Sequence, residues 1–419
     1  MIHQRALSPD AEQVTETTTL PTSAHNAATV RIGPTTARLV GLDVARSLAV
    51  IGMFAAHAGP QEPGNWLFGL VSGRSAALFA VLAGVSIALL SGGDRPQSRS
   101  WAAASARIAV RAAVLFPLGL ALTSMQVPAR VILAVYAVLF LLSIPLLRLR
   151  AGVLGALAAG TAITGPLASF WIRKSVVQTE EMGITPSLAD MTSLDGLGRA
   201  LQAIVLDGAY PVLTWIPFVL AGMAVGRLDL RAVAVRLRLA GVGVALALLG
   251  YGGSWLGLNV LGGRERILSL FAGQPPQIID LILTTTAQGA SYTTDPAMLL
   301  MAAPHSGTPF EVVGAGGFAI AVIGLCLLIS DRLGMLVRPL ASVGALALTA
   351  YVGHLVALWA YGTKNLTATL TEQPYLPWLV LVISALIATT AWRSVLGRGP
   401  LEWVLHRASA GAAALAHRR

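Results

Sequence analysis

Three of the chain's seven histidines stand beside polar residues at spacings that chemistry can use. His57 closes an apolar run that opens with Asp43 and Arg46. Residues three apart share a helix face, so Asp43 and Arg46 can pair. From Arg46 to His57 is close to three helical turns, about 16 Å of axis. One stripe of a helix then carries an acid and a base near one end and an imidazole near the other. Such an imidazole can serve as general base or as a nucleophile that passes through an acyl-histidine. The plain alternative is a structural ion pair and an interfacial histidine.

His305 lies in Ala303-Pro304-His305-Ser306-Gly307-Thr308-Pro309-Phe310-Glu311, where two prolines and a glycine keep the backbone out of regular helix. With Ser306 and Glu311 it reads as an active-site loop, or else as a hydrogen-bonded connector. His354 follows Tyr351 by about one turn; both are candidates for contact with substrate, or for bonding a neighbouring helix. Arg74 either snorkels outward or holds an anionic group of a substrate. Arg107 and Arg111 are four apart, on one helix face, and guanidinium forks suit phosphate; the bland reading is a pair of membrane anchors. No histidines stand at H-E-x-x-H spacing, so no metal is expected. P-loop, GxGxxG and GxSxG patterns are absent too.

The elements that must position these residues are membrane spans. Of 419 residues 55% are hydrophobic and 11% are charged, and the mean hydropathy is +0.72. Soluble chains carry roughly 25% charged residues, so a soluble enzyme is excluded, as are disordered and collagen-like chains. The one cysteine, Cys326, excludes a disulfide framework. About 20 apolar residues cross a bilayer. That ruler predicts an all-α, polytopic bundle of ten spans: 39–58, 67–90, 107–124, 129–147, 151–171, 208–226, 239–260, 312–330, 338–360 and 376–393. The segment 278–303 is expected to lie at the interface or re-enter, and would make an eleventh span if it crossed.

Residues 1–37 read as a flexible cytoplasmic tail without the features of a signal peptide. Residues 38–393 read as the bundle, and 394–419 as a basic cytoplasmic tail. With both termini inside, twenty Arg and Lys fall on the cytoplasmic side and seven outside, the asymmetry expected of membrane proteins. The net charge of +10 is therefore read as topology, with no nucleic-acid partner. In the long outer segment 172–207 the acids Glu180, Glu181, Asp190, Asp195 and Asp207 are too dispersed for a metal loop. No internal repeat is evident, which weighs against an inverted-repeat transporter.

The same residues carry a resemblance. The run from Asp43 and Arg46 through Gly52 to His57, with Gly73-Arg74 and Leu78-Phe79 to Gly84, resembles the opening of the YeiB-like family of bacterial membrane proteins. Arg338-Pro339-Leu340 through Gly344 to Tyr351, and Gly399-Pro400-Leu401-Glu402-Trp403, resemble its C-terminal region. The family is grouped with heparan-α-glucosaminide N-acetyltransferase and acyltransferase family 3, which are transmembrane acyltransferases. It usually has Gly where Ser47 stands and Arg where Ala345 stands. Asn is frequent where His57 stands, and Gln where His354 stands. A histidine ending the first span, and a basic pair entering the third, are similar instead to acyltransferase family 3.

The resemblance implies acyl-CoA, acetyl-CoA first of all, as cytosolic co-substrate. The acceptor would be a hydroxyl or amine of a cell-envelope glycan or lipid outside the inner membrane. Arg107 and Arg111 would hold the CoA phosphates, and Asp43 and Arg46 would keep the channel polar. His57 or His305 would act as base beside Glu311. Arg74, His354, Tyr351 and Ser306 would meet the substrate, and His57, His305 and Arg46 would line one cavity. Membrane lipids and a second copy of the chain are the further expected partners. The rival is a transporter or lipid-binding channel that uses the same polar stripe without chemistry.

Overall fold

The computed structural model describes residues 39–416 except 63, 97–99, 177–181, 273–274 and 286. The tail expected over 1–37 lies outside the described residues, as do Glu180, Glu181 and the last three positions. The described chain is all-α, without a strand among the described residues. Long apolar runs favour this outcome, because in lipid every backbone polar group must be satisfied within its own segment.

The helices are α1 (Val40–Ala58), α2 (Trp66–Val71), α3 (Arg74–Leu90), α4 (Trp101–Ser124), α5 (Leu133–Ser143) and α6 (Ala151–Val176). Then come α7 (Leu194–Gln202), α8 (Val212–Gly226), α9 (Val233–Ala247), α10 (Gly253–Asn259), α11 (Gly263–Leu270) and α12 (Pro276–Thr284). The chain closes with α13 (Pro309–Leu333), α14 (Arg338–Ala345), α15 (Ala347–Tyr361), α16 (Thr363–Glu372), α17 (Leu376–Leu396) and α18 (Pro400–Ala416).

Each of the ten expected spans contains helix, but among the described residues seven helical stretches are long and apolar enough to cross a membrane. An eighth arises if Leu194–Asp207 and Val212–Gly226, bent by 57°, count as one. The chain is thus a multi-pass membrane protein in outline. Two expected spans are shorter than the ruler. Leu133–Leu146 is a shorter apolar stretch that ends in a 3-10 turn containing Pro145, whose missing N–H removes one backbone hydrogen bond. The expected span 338–360 is split at Leu346, with φ −110° and ψ 33°. The split frees the first amides of α15, and the Glu402 carboxylate accepts from Leu348 N at 2.8 Å and Thr349 N at 3.0 Å. An anion at a helix N-terminus is favourable. Glu402 belongs to α18, so residues 394–419, expected as a tail, carry a helix that packs on α4 and α15.

The segment 278–303 holds α12 and a 3-10 turn, Pro296–Leu300. Ile279, Met298 and Met301 form a small separate core with Leu258 and Ile267, and no helix of crossing length lies there among the described residues.

Helix α1 packs against α3, α13 and α14. Small residues bring these backbones together, as is common where lipid supplies no hydrophobic drive between helices. A Cβ on Gly344 of α14 would lie 1.7 Å from the Asp43 carbonyl oxygen, and one on Gly84 of α3 would lie 2.1 Å from that of Val219. Overpacking costs about 1–3 kcal/mol where the core can adjust; opposite backbone it can adjust little. Gly344→Val should therefore lower the thermal midpoint of the purified protein or abolish its folded peak in size-exclusion chromatography. A midpoint equal to wild type would contradict this close approach.

Candidate functional site

His57, at the C-terminal end of α1, pairs with His354 of α15: Nδ1 and Nε2 are 3.1 Å apart. The rings are nearly parallel, at 7° with centroids 5.4 Å apart. Phe54 and Tyr351 flank His354 at 4.7 and 5.2 Å. His354 is 3% exposed. Its buried Nδ1 has no well-formed hydrogen bond, although the imidazole faces the carbonyls of Tyr351 and Ala350. A proton on Nδ1 is better placed opposite carbonyl oxygens than a lone pair would be. We therefore assign Nδ1–H to His354, so that its Nε2 accepts from His57 Nδ1–H. That tautomer leaves His57 Nε2 as a free base.

His305 occupies a loop with left-handed backbone at His305 (φ +60°) and Gly307 (φ +61°). A non-glycine residue in that region is uncommon and must be held by its surroundings. Here the holding groups are identifiable. The backbone N–H groups of His305 and Gly307 donate to the Glu311 carboxylate. Thr308 caps α13, its hydroxyl accepting from Glu311 N at 3.2 Å, and Ser306 Oγ is 3.4 Å from Thr308 Oγ1. Gly73, at φ +70°, allows the loop to approach, since a Cβ there would lie 3.1 Å from Pro304. Glu311 and Ser306 thus act on the loop itself.

The His305 ring stacks on Trp215 (5.9 Å, 20°) and meets Tyr210 edge-on (5.5 Å, 74°). Burial, then the charges of Arg130 and His57, push its pKa down to about 3. An unfolded histidine titrates near 6.5. Between those values the unfolded chain binds a proton that the folded one refuses, so His305 costs stability as pH falls through that window. In a nitrogen-15 histidine titration from about pH 8 to pH 5, His305 should show no protonation step; a midpoint near 6.5 would refute the buried placement.

Arg74 is already engaged. Its Nε donates to Tyr251 Oη at 2.9 Å, another nitrogen donates to the Gly69 carbonyl, and the guanidinium lies 4.5 Å from the Tyr251 ring centroid.

Toward the N-terminal end of α1 lies a cavity of about 480 Å³, lined by Arg46, Ser86, Arg111 and Glu402 and reaching Phe79 and Tyr136. Asp43, 2% exposed, pairs with Arg46 at 2.6 Å, and Arg46 Nη2 donates to Ser86 Oγ at 3.3 Å. The Nε of Arg111 is buried without a hydrogen-bond partner. Arg107 is outside the lining but close enough, like Arg46, to repel Arg111. His406 of α18 is held below its ordinary value by burial first, then by Arg398, Arg111, Arg107 and Arg407. Positive charge therefore concentrates where α4 meets α18.

Stacked aromatics connect this cavity to the histidine pair. Phe79 lies 5.6 Å from Tyr136 and 6.2 Å from Tyr351, and Tyr351 abuts His354. The expectation of one cavity shared by Arg46, His57 and His305 is corrected accordingly. Arg46 lines the cavity and neither imidazole does, because the aromatic side chains fill the space between. Sequence reasoning missed Phe79, Tyr136, Tyr210, Trp215 and Tyr251 as participants, since aromatics in apolar spans read as core. Glu402 was visible only within the Gly399–Trp403 resemblance.

Residues 277–412 match the sequence profile of a family described as a protein of unknown function, DUF418, the YeiB-like family of uncharacterised proteins. No curated protein matches the chain. The matched stretch covers about a third of the chain. It includes His305, Glu311, Tyr351, His354 and Glu402 but not Asp43, Arg46, His57, Arg107 or Arg111.

Proposed function

We propose that this protein is a transmembrane acyltransferase that takes an acyl group, acetyl in the first instance, from cytosolic acyl-CoA. The acceptor is a hydroxyl or amine of an envelope glycan or lipid on the far side of the bacterial inner membrane. The observation that carries this reading is the continuity from the arginine-lined cavity, through Phe79, Tyr136 and Tyr351, to His354 and His57. The CoA phosphates bind Arg111 with Arg107 behind it, because guanidinium–phosphate hydrogen bonds are charge-assisted. The pantetheine arm passes Arg46, and movement of Phe79 and Tyr351 lets the thioester approach the histidines.

His57 Nε2 takes the proton of the acceptor as its oxygen or nitrogen attacks the thioester carbonyl carbon. The C–S bond then breaks, the acyl group stays on the acceptor, and the imidazolium returns the proton to the CoA thiolate. His354 keeps the His57 ring in its tautomer. The resemblance to acyltransferase family 3 at His57 and at the basic pair supports the same assignment.

The test is purified protein in liposomes supplied with acyl-labelled acetyl-CoA. Release of CoA thiol with label on an acceptor, or as free acid, supports the enzyme. Label crossing the bilayer with no thiol released means a transporter, and neither outcome at saturating donor rejects the cavity as a CoA site.

A further inference from the structure

On another face of the bundle, α8 and α13 form the floor, and α6 and α9 the walls, of an apolar groove of about 560 Å³. Its lining is aliphatic or aromatic throughout and is rich in small side chains, among them Gly155, Ala159 and Gly316. It follows α6 from Ala151 to Ile163, about 18 Å of axis. At Ala151 the groove meets a second cleft of about 470 Å³ lined by Asp94, Arg95, Arg148, Arg150 and Arg227. Ala151 lines both, and Arg227 of the cleft adjoins Leu228 of the groove.

Within the cleft, Arg227 is the fixed wall. Its guanidinium donates to the carbonyls of Ala88 (2.8 Å), Gly93 (2.9 Å), Leu147 and Leu149 and to Ser91 Oγ (2.8 Å), tying the end of α3 to the start of α6. Arg148 and Arg150 are exposed and make no ion pair among the described residues. The acid present is Asp94, so the cleft carries a net positive charge.

We infer that this groove and cleft together bind an anionic glycerophospholipid of the surrounding bilayer, its phosphodiester at Arg148 and Arg150 and one acyl chain along α6. The groove's length suits an acyl chain. A free phosphate would leave it empty, and a neutral lipid would leave the arginines uncompensated. Basic pockets between membrane helices hold anionic head groups in just this arrangement. The site shares no lining residue with the Arg46–Arg111 cavity, so it stands independently of the acyl-transfer reading.

The experiment is native mass spectrometry of the delipidated full chain, titrated separately with phosphatidylglycerol, phosphatidylcholine and inorganic phosphate. Two variants accompany the wild type. Arg148→Gln/Arg150→Gln removes the head-group charges, and Ala159→Phe fills the groove from an exposed position. Folding of both is checked by size-exclusion profile. Wild type should bind phosphatidylglycerol about tenfold or more tightly than phosphatidylcholine, from about 1 kcal/mol per arginine. The double variant should lose that preference, and Ala159→Phe should weaken phosphatidylglycerol at least severalfold. Equal binding of the two lipids overturns the proposal. So does Ala159→Phe binding like wild type, or inorganic phosphate displacing the lipid head as effectively as phosphatidylglycerol itself.

Discussion

His57→Ala is expected to lower acyl transfer by roughly 10²–10⁴-fold, the usual contribution of a positioned general base, while the protein stays folded and inserted. The imidazole is half-buried at the end of α1, with His354 as its polar partner, so truncation removes the base without opening the core. His354→Gln separates the two roles. A glutamine carbonyl can accept the His57 Nδ1–H as His354 Nε2 does, so this variant should retain much more activity than His57→Ala. His57→Asn is the sharper test, because the YeiB-like proteins that the opening of the chain resembles often carry Asn at this position. Transfer measured as CoA thiol release at saturating donor decides the matter. Near-normal turnover in His57→Asn would exclude His57 as the base and shift the assignment to His305, whose imidazole is neutral near neutral pH.

The second large effect is on donor binding. Arg111→Gln should weaken binding of CoA about ten- to hundredfold, because a hydrogen bond to a charged group contributes about 1.5–3 kcal/mol. Arg111 lines the cavity, and its buried Nε has no protein partner. Calorimetric titration with CoA, which lacks the acyl group, isolates this term from chemistry. Arg111→Lys should recover part of the affinity as a point charge without the planar fork. Unchanged CoA affinity in Arg111→Gln would remove the phosphates from this cavity. Because Arg107 stands behind Arg111 and outside the lining, Arg107→Gln should have the smaller effect of the two.

The Asp43–Arg46 pair was legible from the chain alone, because an i,i+3 spacing on a helix brings two side chains to one face regardless of what surrounds it. Apolar runs likewise foretold most of the long helices, since a bilayer demands continuous backbone bonding over a fixed thickness. The loop at His305 was legible through Pro304, Gly307 and Pro309, which deny the backbone a regular helix. What those local rules do not contain is any contact between distant segments. His57 meets His354 across 297 residues, and nothing in either helix encodes the other. The break at Leu346 depends on Glu402 arriving from α18 to satisfy the freed amides, so an uninterrupted span was the natural local reading. Glu311 reads as an active-site acid in sequence, yet the folded loop gives it the N–H groups of His305 and Gly307. The separation of Arg46 from His57 was likewise a tertiary matter. A helix face fixes the direction in which both side chains point, but Phe79, Tyr136 and Tyr351 arrive from three other helices to fill the space between them.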